Sequence, residues 1–119
     1  MMSLMSKILS AIDIGSNGMR MMIAEAVFSN SQPYLLKEVK KIRSPVRLGK
    51  EVFLDQPISE KTINESLETF EHFRNINQKH KVEKCRAVAT SAWRKAKNKA
   101  EYIERIEKKT GIKIELIDG

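Results

Sequence analysis

The sequence is poor in cysteine and has no long apolar run. Its single cysteine, Cys85, has no internal disulfide partner, which fits a reducing cytoplasm, and we interpret it as a small core residue. A membrane-spanning helix needs about 18 or more apolar residues in a row, and none is present. The N-terminal stretch also lacks the apolar core and cleavage site of a signal peptide. The sequence therefore predicts a cytoplasmic location and no contact with a membrane.

Aromatic residues and histidines are also scarce. Aromatic residues make up 6% of the chain and do not alternate with basic residues, so a base-stacking platform for nucleic acid is not indicated. The two histidines, His72 and His80, are not spaced to share a metal ion. The net charge of +7 nevertheless favours an acidic partner, namely nucleic acid, a polyphosphate or an anionic surface. A basic surface that only keeps the protein soluble remains an alternative.

The hydrophobic pattern predicts one domain, residues 1–119, with seven elements in the order β-β-β-α-β-α-β. Asn17-Gly18 is a hairpin signal between the first two strands, and alternation places Met22, Ala24 and Ala26 on one face of the second. The predicted strands cover residues 8–14, 19–28, 34–42, 84–90 and 112–117. The predicted helices run from a Ser59 cap to about Gln78, and from a capping box of Asn98 with Glu101 until Gly111.

This order predicts an α/β fold with a mixed five-stranded sheet. The hairpins make one side antiparallel, and the helix crossovers make the first, fourth and fifth strands parallel. Ligands of such sheets bind beyond the carboxyl ends of the parallel strands. Those ends carry the segments "DIGSNG", "ATSAWR" and "LIDG". We therefore expect the polar residues of these segments to gather at one edge of the sheet.

The first of these segments has the chemistry of a phosphate site. Asp13 at the end of a strand can hold a hydrated Mg²⁺, and Arg20 can bind a phosphate oxygen or brace the turn. The glycines leave backbone N–H groups open to a phosphate, and the polar side chains add donors, so the turn as a whole can bind an anion. Its members are Gly15, Ser16, Asn17 and Gly18. A plain hairpin with ordinary turn residues is the alternative interpretation.

The second segment supports the phosphate interpretation. Thr90 and Ser91 offer hydroxyl groups at the end of the fourth strand, and Arg94 follows within reach of the same cleft. The alternative is that the two hydroxyls cap a turn and that Arg94 is a surface charge. Both interpretations place these residues at the same edge of the sheet as Asp13.

Four segments together resemble the exopolyphosphatase and guanosine-pentaphosphate phosphohydrolase family, which has the ribonuclease H-like fold of the actin-like ATPases. They are "AIDIGSNGMRMMIAEA", "VRLGKEVF", "AVATSAWRKAKN" and "TGIKIELIDG". They occur in the order and spacing of the family and extend over nearly the whole chain, from about Ile8 to Gly119. The resemblance implies that this chain is the N-terminal lobe of a two-lobed phosphatase.

The resemblance also implies roles for particular residues. Arg94 matches an arginine of the active-site cleft, Asn98 matches an asparagine that helps to shape the cleft, and Gly18 stands where a serine is usual. The glycine removes one hydroxyl donor from the turn and keeps the backbone donors. The family's first phosphate loop and the arginine that follows it are matched by Asp13, Gly15, Ser16, Asn17 and Arg20. A cleft-lining loop of the family is matched by Arg47, Leu48 and Gly49.

The activity implied by the resemblance is Mg²⁺-dependent hydrolysis of the terminal phosphoanhydride of polyphosphate or guanosine pentaphosphate. The family's catalytic glutamate follows the segment that matches "ELIDG", and its second glycine-rich loop and second lobe lie further on. We therefore expect the 119 residues to be inactive alone and to expose a face that permits a homodimer. Two alternatives remain: a small basic nucleic-acid-binding module, and an ATP-binding member of the same superfold.

Overall fold

The structure is a computed structural model that describes residues 4–15, 18–44, 46, 57–89 and 96–117. Its elements follow the predicted order β-β-β-α-β-α-β. The strands are β1 (Leu4–Gly15), β2 (Gly18–Ser29), β3 (Gln32–Ser44), β4 (Lys84–Ala89) and β5 (Ile114–Leu116). The helices are α1 (Glu60–Lys79) and α2 (Lys99–Thr110).

The five strands form one mixed sheet in the spatial order β3-β2-β1-β4-β5. The pairs β1–β2 and β2–β3 are antiparallel, whereas β1–β4 and β4–β5 are parallel. This arrangement confirms the predicted sheet, including the parallel relation of the first, fourth and fifth strands. Because parallel strands end at the same side of a sheet, the carboxyl ends of β1, β4 and β5 lie along one edge.

Both helices pack on the same face of the sheet. Ile12 and Ile14 of β1 belong to one buried cluster with Phe70 of α1 and Tyr102 of α2. Crossovers between parallel strands are right-handed in nearly all proteins, and both crossovers here run in the same direction along the sheet, which explains the shared face. Burial raises the pKa of the Tyr102 phenol well above its usual range, so its hydroxyl group stays neutral.

The opposite face, which we call the open face, has no helix over it among the residues that the structure describes. In β2, Met19, Met21 and Ile23 are buried on the helix side. Met22 and Ala24 do share a face, as alternation predicts, but this is the open face, since they lie opposite Ala11 and Leu9 of β1. Met22 and Ala24 of β2 therefore lie on the open face, whereas Met19, Met21 and Ile23 lie in the core.

The predicted helix ends are confirmed, including Asn98 as the N-cap residue of α2. The Ser59 side chain accepts a hydrogen bond from the Thr62 N–H at 3.2 Å, and Gly111 ends α2 with φ of 75°. The predicted capping box at Asn98 is wrong, because its side chain makes no capping hydrogen bond to α2. Its amide is instead hydrogen-bonded to the backbone of Ile58.

An ion pair joins the start of α1 to the side of α2. Arg105 Nη2 lies 2.8 Å from Glu60 Oε1, and the hydrogen bond from Arg105 holds the pKa of the Glu60 carboxyl below its usual value. Glu60 also lies in the first turn of α1, where the helix dipole favours a negative charge. A carboxyl group with a lowered folded-state pKa stabilises the fold above its unfolded pKa and loses that contribution as the pH falls through the folded value.

Replacing Glu60 by Gln is expected to lower the free energy of unfolding at pH 7, and the deficit relative to the wild type should vanish in acid. Urea unfolding at pH 7 and at pH 3 measures this difference. Glu65→Gln is the matched control, because Glu65 is an exposed carboxylate of the same helix outside its first turn. A Glu60→Gln deficit that persists unchanged at pH 3 would contradict the ion-pair explanation.

Candidate active site

The carboxyl end of β1 places an acid and an arginine side by side. Asp13 lies directly opposite Arg20 of β2, and both side chains are on the open face. Arg20 Nη2 is 3.7 Å from Asp13 Oδ2, with the Asp13 side chain 47% exposed and that of Arg20 68% exposed. A long, exposed pair of this kind contributes at most about 1 kcal/mol. Both groups are therefore accessible to a ligand at little cost.

The hairpin beside this pair is built on two glycines. Gly15 ends β1 and pairs with Gly18, which begins β2, so Ser16 and Asn17 are the two residues between the strands. The hairpin is confirmed, although Gly18 is a strand residue and not part of the turn proper. A Cβ on Gly18 would lie 2.9 Å from the carbonyl oxygen of Ser44. This close approach of β3 explains a glycine where the resemblance leads us to expect a serine.

The Asn98 amide connects the two chain segments that lead into α1 and α2. Its Oδ1 accepts a hydrogen bond from the Ile58 N–H at 2.9 Å, and its Nδ2 donates to the Ile58 carbonyl at 3.0 Å. The contact fixes the approach to α1 against the start of α2. This geometry suits a residue that shapes the cleft, and direct contact of Asn98 with a ligand stays a prediction.

Several predicted site residues lie outside the described residues, and their roles stay predictions: Ser16, Asn17, Arg47, Leu48, Gly49, Thr90, Ser91 and Arg94. The strand that precedes Thr90 is described. Ala89 ends β4 and lies beside Ile14 of β1 and Leu116 of β5. The chain thus leaves β4 at the edge where Asp13 and Gly15 lie, as the sequence predicts.

Arg43 is a site neighbour that the sequence analysis did not single out. It lies opposite Arg20 in the β2–β3 register, on the open face. The predicted third strand ended at Ile42, two residues too early, because the lysines after Tyr34 and the proline after Ser44 weaken the strand signal. The observed β3 extends to Ser44, whose Oγ is 3.0 Å from Thr69 Oγ1 of α1.

Asp13 is the residue through which this edge of the sheet could bind a metal ion. No group of three or more His, Cys, Asp or Glu side chains suited to a metal ion occurs within the described ranges. Mg²⁺ is usually held by one or two carboxylates, with water and substrate phosphates completing the shell. A single accessible carboxylate beside a glycine hairpin therefore fits a hydrated Mg²⁺. Within those same ranges, no helix is long and apolar enough to cross a membrane.

The sequence model of the Ppx/GppA phosphatase family matches residues 26–119. The chain belongs to this family. It is also similar to a bifunctional 3-dehydroquinate synthase/phosphatase of Fusobacterium nucleatum, with 34% identity over 112 residues. Among solved structures it resembles a Ppx/GppA family member of Aquifex aeolicus, with a TM-score of 0.84 and 29% identity. An exopolyphosphatase of Cytophaga hutchinsonii gives a TM-score of 0.82 and 34% identity.

The chain spans only part of each relative. The match covers 98% of this chain and 36% of the Aquifex protein, and 95% of this chain and 35% of the Cytophaga protein. For the Fusobacterium protein it covers 92% of this chain and 17% of the relative. The family match begins after the Asp13–Arg20 hairpin, whereas the structural matches cover nearly the whole chain. The fold is therefore that of the N-terminal lobe of Ppx/GppA proteins.

Replacing Gly18 by Ala is expected to lower the free energy of unfolding by about 1–3 kcal/mol, because the new Cβ forces the Ser44 carbonyl away. Gly15→Ala is the matched control, since its Cβ would meet the Gly18 carbonyl oxygen at a milder 3.3 Å. Urea unfolding of both variants measures the difference. Equal stabilities of the two variants would show that β3 yields freely at this point.

Replacing Asn98 by Ala should cost about 1–3 kcal/mol, because two backbone groups of Ile58 lose their partners. Asn98→Asp keeps an acceptor for the Ile58 N–H but brings a charged oxygen to the Ile58 carbonyl, so it should not restore stability. Thermal unfolding compares these variants with Asn75→Ala, on the exposed side of α1. A full recovery with Asp would mean that the bond to the Ile58 carbonyl contributes nothing.

Proposed function

We propose that this chain is the phosphate-binding lobe of an exopolyphosphatase-like hydrolase. The proposed reaction is hydrolysis of the terminal phosphoanhydride of polyphosphate or guanosine pentaphosphate. The observation that carries the proposal is the Asp13–Arg20 pair beside a glycine hairpin, at the carboxyl edge of a Ppx/GppA-family sheet. The similar proteins include a bifunctional synthase/phosphatase and an exopolyphosphatase, which supports the reaction class.

The chemistry of each residue indicates its proposed role. Arg20 and the backbone N–H groups of the hairpin bind and orient the phosphoryl oxygens, and the Asp13 carboxylate would hold Mg²⁺. When bound, the ion would neutralise negative charge that grows on the phosphoryl group. Arg94 is proposed to contact the same group from the β4 side, with Thr90 and Ser91 as hydroxyl donors. Water then attacks the terminal phosphorus, and the bond to the bridging oxygen breaks.

The remaining parts of the site are proposed to come from elsewhere in a larger protein. The matched solved relatives are longer, and the resemblance implies that a second lobe closes the cleft and that a glutamate activates the water. On this basis the 119 residues bind phosphate chains but do not hydrolyse them alone. A cytoplasmic location and self-association through the open face belong to the same proposal.

The test is an NMR titration of the 119-residue chain with tripolyphosphate, with and without Mg²⁺. We expect shifts centred on Gly15, Gly18 and Arg20, and Asp13→Asn should abolish the Mg²⁺-dependent part. Lys37→Gln on the exposed edge strand is the control for general charge loss. Shifts scattered over the lysines would contradict a built site, and tighter binding of ATP than of tripolyphosphate would favour an ATP-binding protein.

A colorimetric phosphate assay tests the proposed inactivity. The 119-residue chain is expected to release no phosphate from polyphosphate in the presence of Mg²⁺, because the proposed base and the closing lobe are not part of it. Arg94→Ala is the companion variant. Release by the wild type that Arg94→Ala abolishes would show that this lobe is sufficient for catalysis.

A further inference from the structure

Three charged side chains form one row across the open face. The register places Asp13 of β1 opposite Arg20 of β2, and Arg20 opposite Arg43 of β3. Directly opposed residues of antiparallel strands have Cβ atoms about 4.5–5.5 Å apart. The row therefore holds two guanidinium groups and one carboxylate, next to the glycine hairpin.

This row is unbalanced in charge. Like charges that face each other across a strand pair destabilise a sheet. Arg20 has Asp13 at 3.7 Å, but no carboxylate within the described ranges lies within ion-pair distance of Arg43. Two other basic residues of the open face are paired, namely Lys41 with Glu38 at 3.6 Å and Arg86 with Glu115 at 2.8 Å. An anion held between Arg20 and Arg43 would remove the imbalance.

Contacts of its neighbouring residues fix the position of Arg43 at the end of β3. Ile42, its neighbour, packs against the core, and Ser44 on its other side is hydrogen-bonded to Thr69 of α1. The pairing of residues 41–44 with β2 is regular, since the two register shifts of this strand pair lie beyond Ile23. The backbone that carries Arg43 is thus fixed from both sides.

We propose that Arg43 forms a second anion subsite, which shares Arg20 with the first and binds the phosphoryl group next to the terminal one of a linear polyphosphate. The inference rests on the proposed function, since it extends the same site along the sheet. The described neighbours of Arg43 on the open face are Arg20 and Lys41, so three cationic side chains lie close together there. Such a run of cations suits a linear phosphate chain, in which each successive phosphoryl group carries negative charge.

The test is an isothermal titration calorimetry measurement of the affinity of the Arg43→Gln variant of the 119-residue chain for tripolyphosphate. We expect affinity to fall roughly three- to tenfold, the range for one exposed charge-assisted contact. Orthophosphate, which fills only the terminal position, should bind as it does to the wild type. Lys40→Gln is the matched control, because it removes one charge from the same strand on the other face, opposite Ile23. It should leave both affinities unchanged.

The outcomes separate this inference from the proposed function. If tripolyphosphate binding depends on Arg20 but Arg43→Gln behaves like Lys40→Gln, the second subsite is wrong and the phosphate site stands. If binding depends on neither arginine, the proposed function itself fails. If Arg43→Gln lowers the affinity for a single-stranded RNA of the same charge as much as that for tripolyphosphate, Arg43 belongs to a general anion-binding surface and not to a polyphosphate subsite. Arg43→Gln should fold at least as stably as the wild type, because it removes a like-charge pair.

Discussion

The register of β1 against its two neighbours is the constraint on which the core and the candidate site both depend. β1 pairs antiparallel with β2 and parallel with β4, which fixes it from both sides. A slip by one residue would turn Ile12 and Ile14 to the open face and turn Asp13 towards the helices. An unpaired carboxylate in that core would cost several kcal/mol. The same pairing that buries the isoleucines therefore presents Asp13 to solvent.

Features set by short stretches of sequence could be predicted. The order of the elements follows from apolar spacing, and the Ser59 cap and the Gly111 end follow from residues that act within one helical turn. The position of Asp13 could also be predicted, because a buried strand followed by a glycine turn has its end at the sheet edge. Each of these signals lies within a few residues of the structure it determines.

Features set by distant partners could not be predicted from such signals. The Asn98 side chain leaves the helix it precedes because Ile58, forty residues earlier in the chain, offers two backbone groups. Gly18 is required because Ser44 of another strand approaches it closely, and no residue near Gly18 in the sequence indicates that contact. Arg43 comes to lie opposite Arg20 only through the register of β3, which no local pattern fixes.

The weakness of the Asp13–Arg20 contact is itself consistent with a binding site. On the same face, Arg86 and Glu115 are 2.8 Å apart and satisfy each other, whereas Asp13 and Arg20 remain 3.7 Å apart. A ligand that needs both groups must separate them, and for an exposed pair that costs at most about 1 kcal/mol. New charge-assisted hydrogen bonds contribute about 1.5–3 kcal/mol each, so one of them offsets the loss. In the free chain, the ion pair thus keeps Asp13 and Arg20 next to each other but is weak enough for a ligand to separate them.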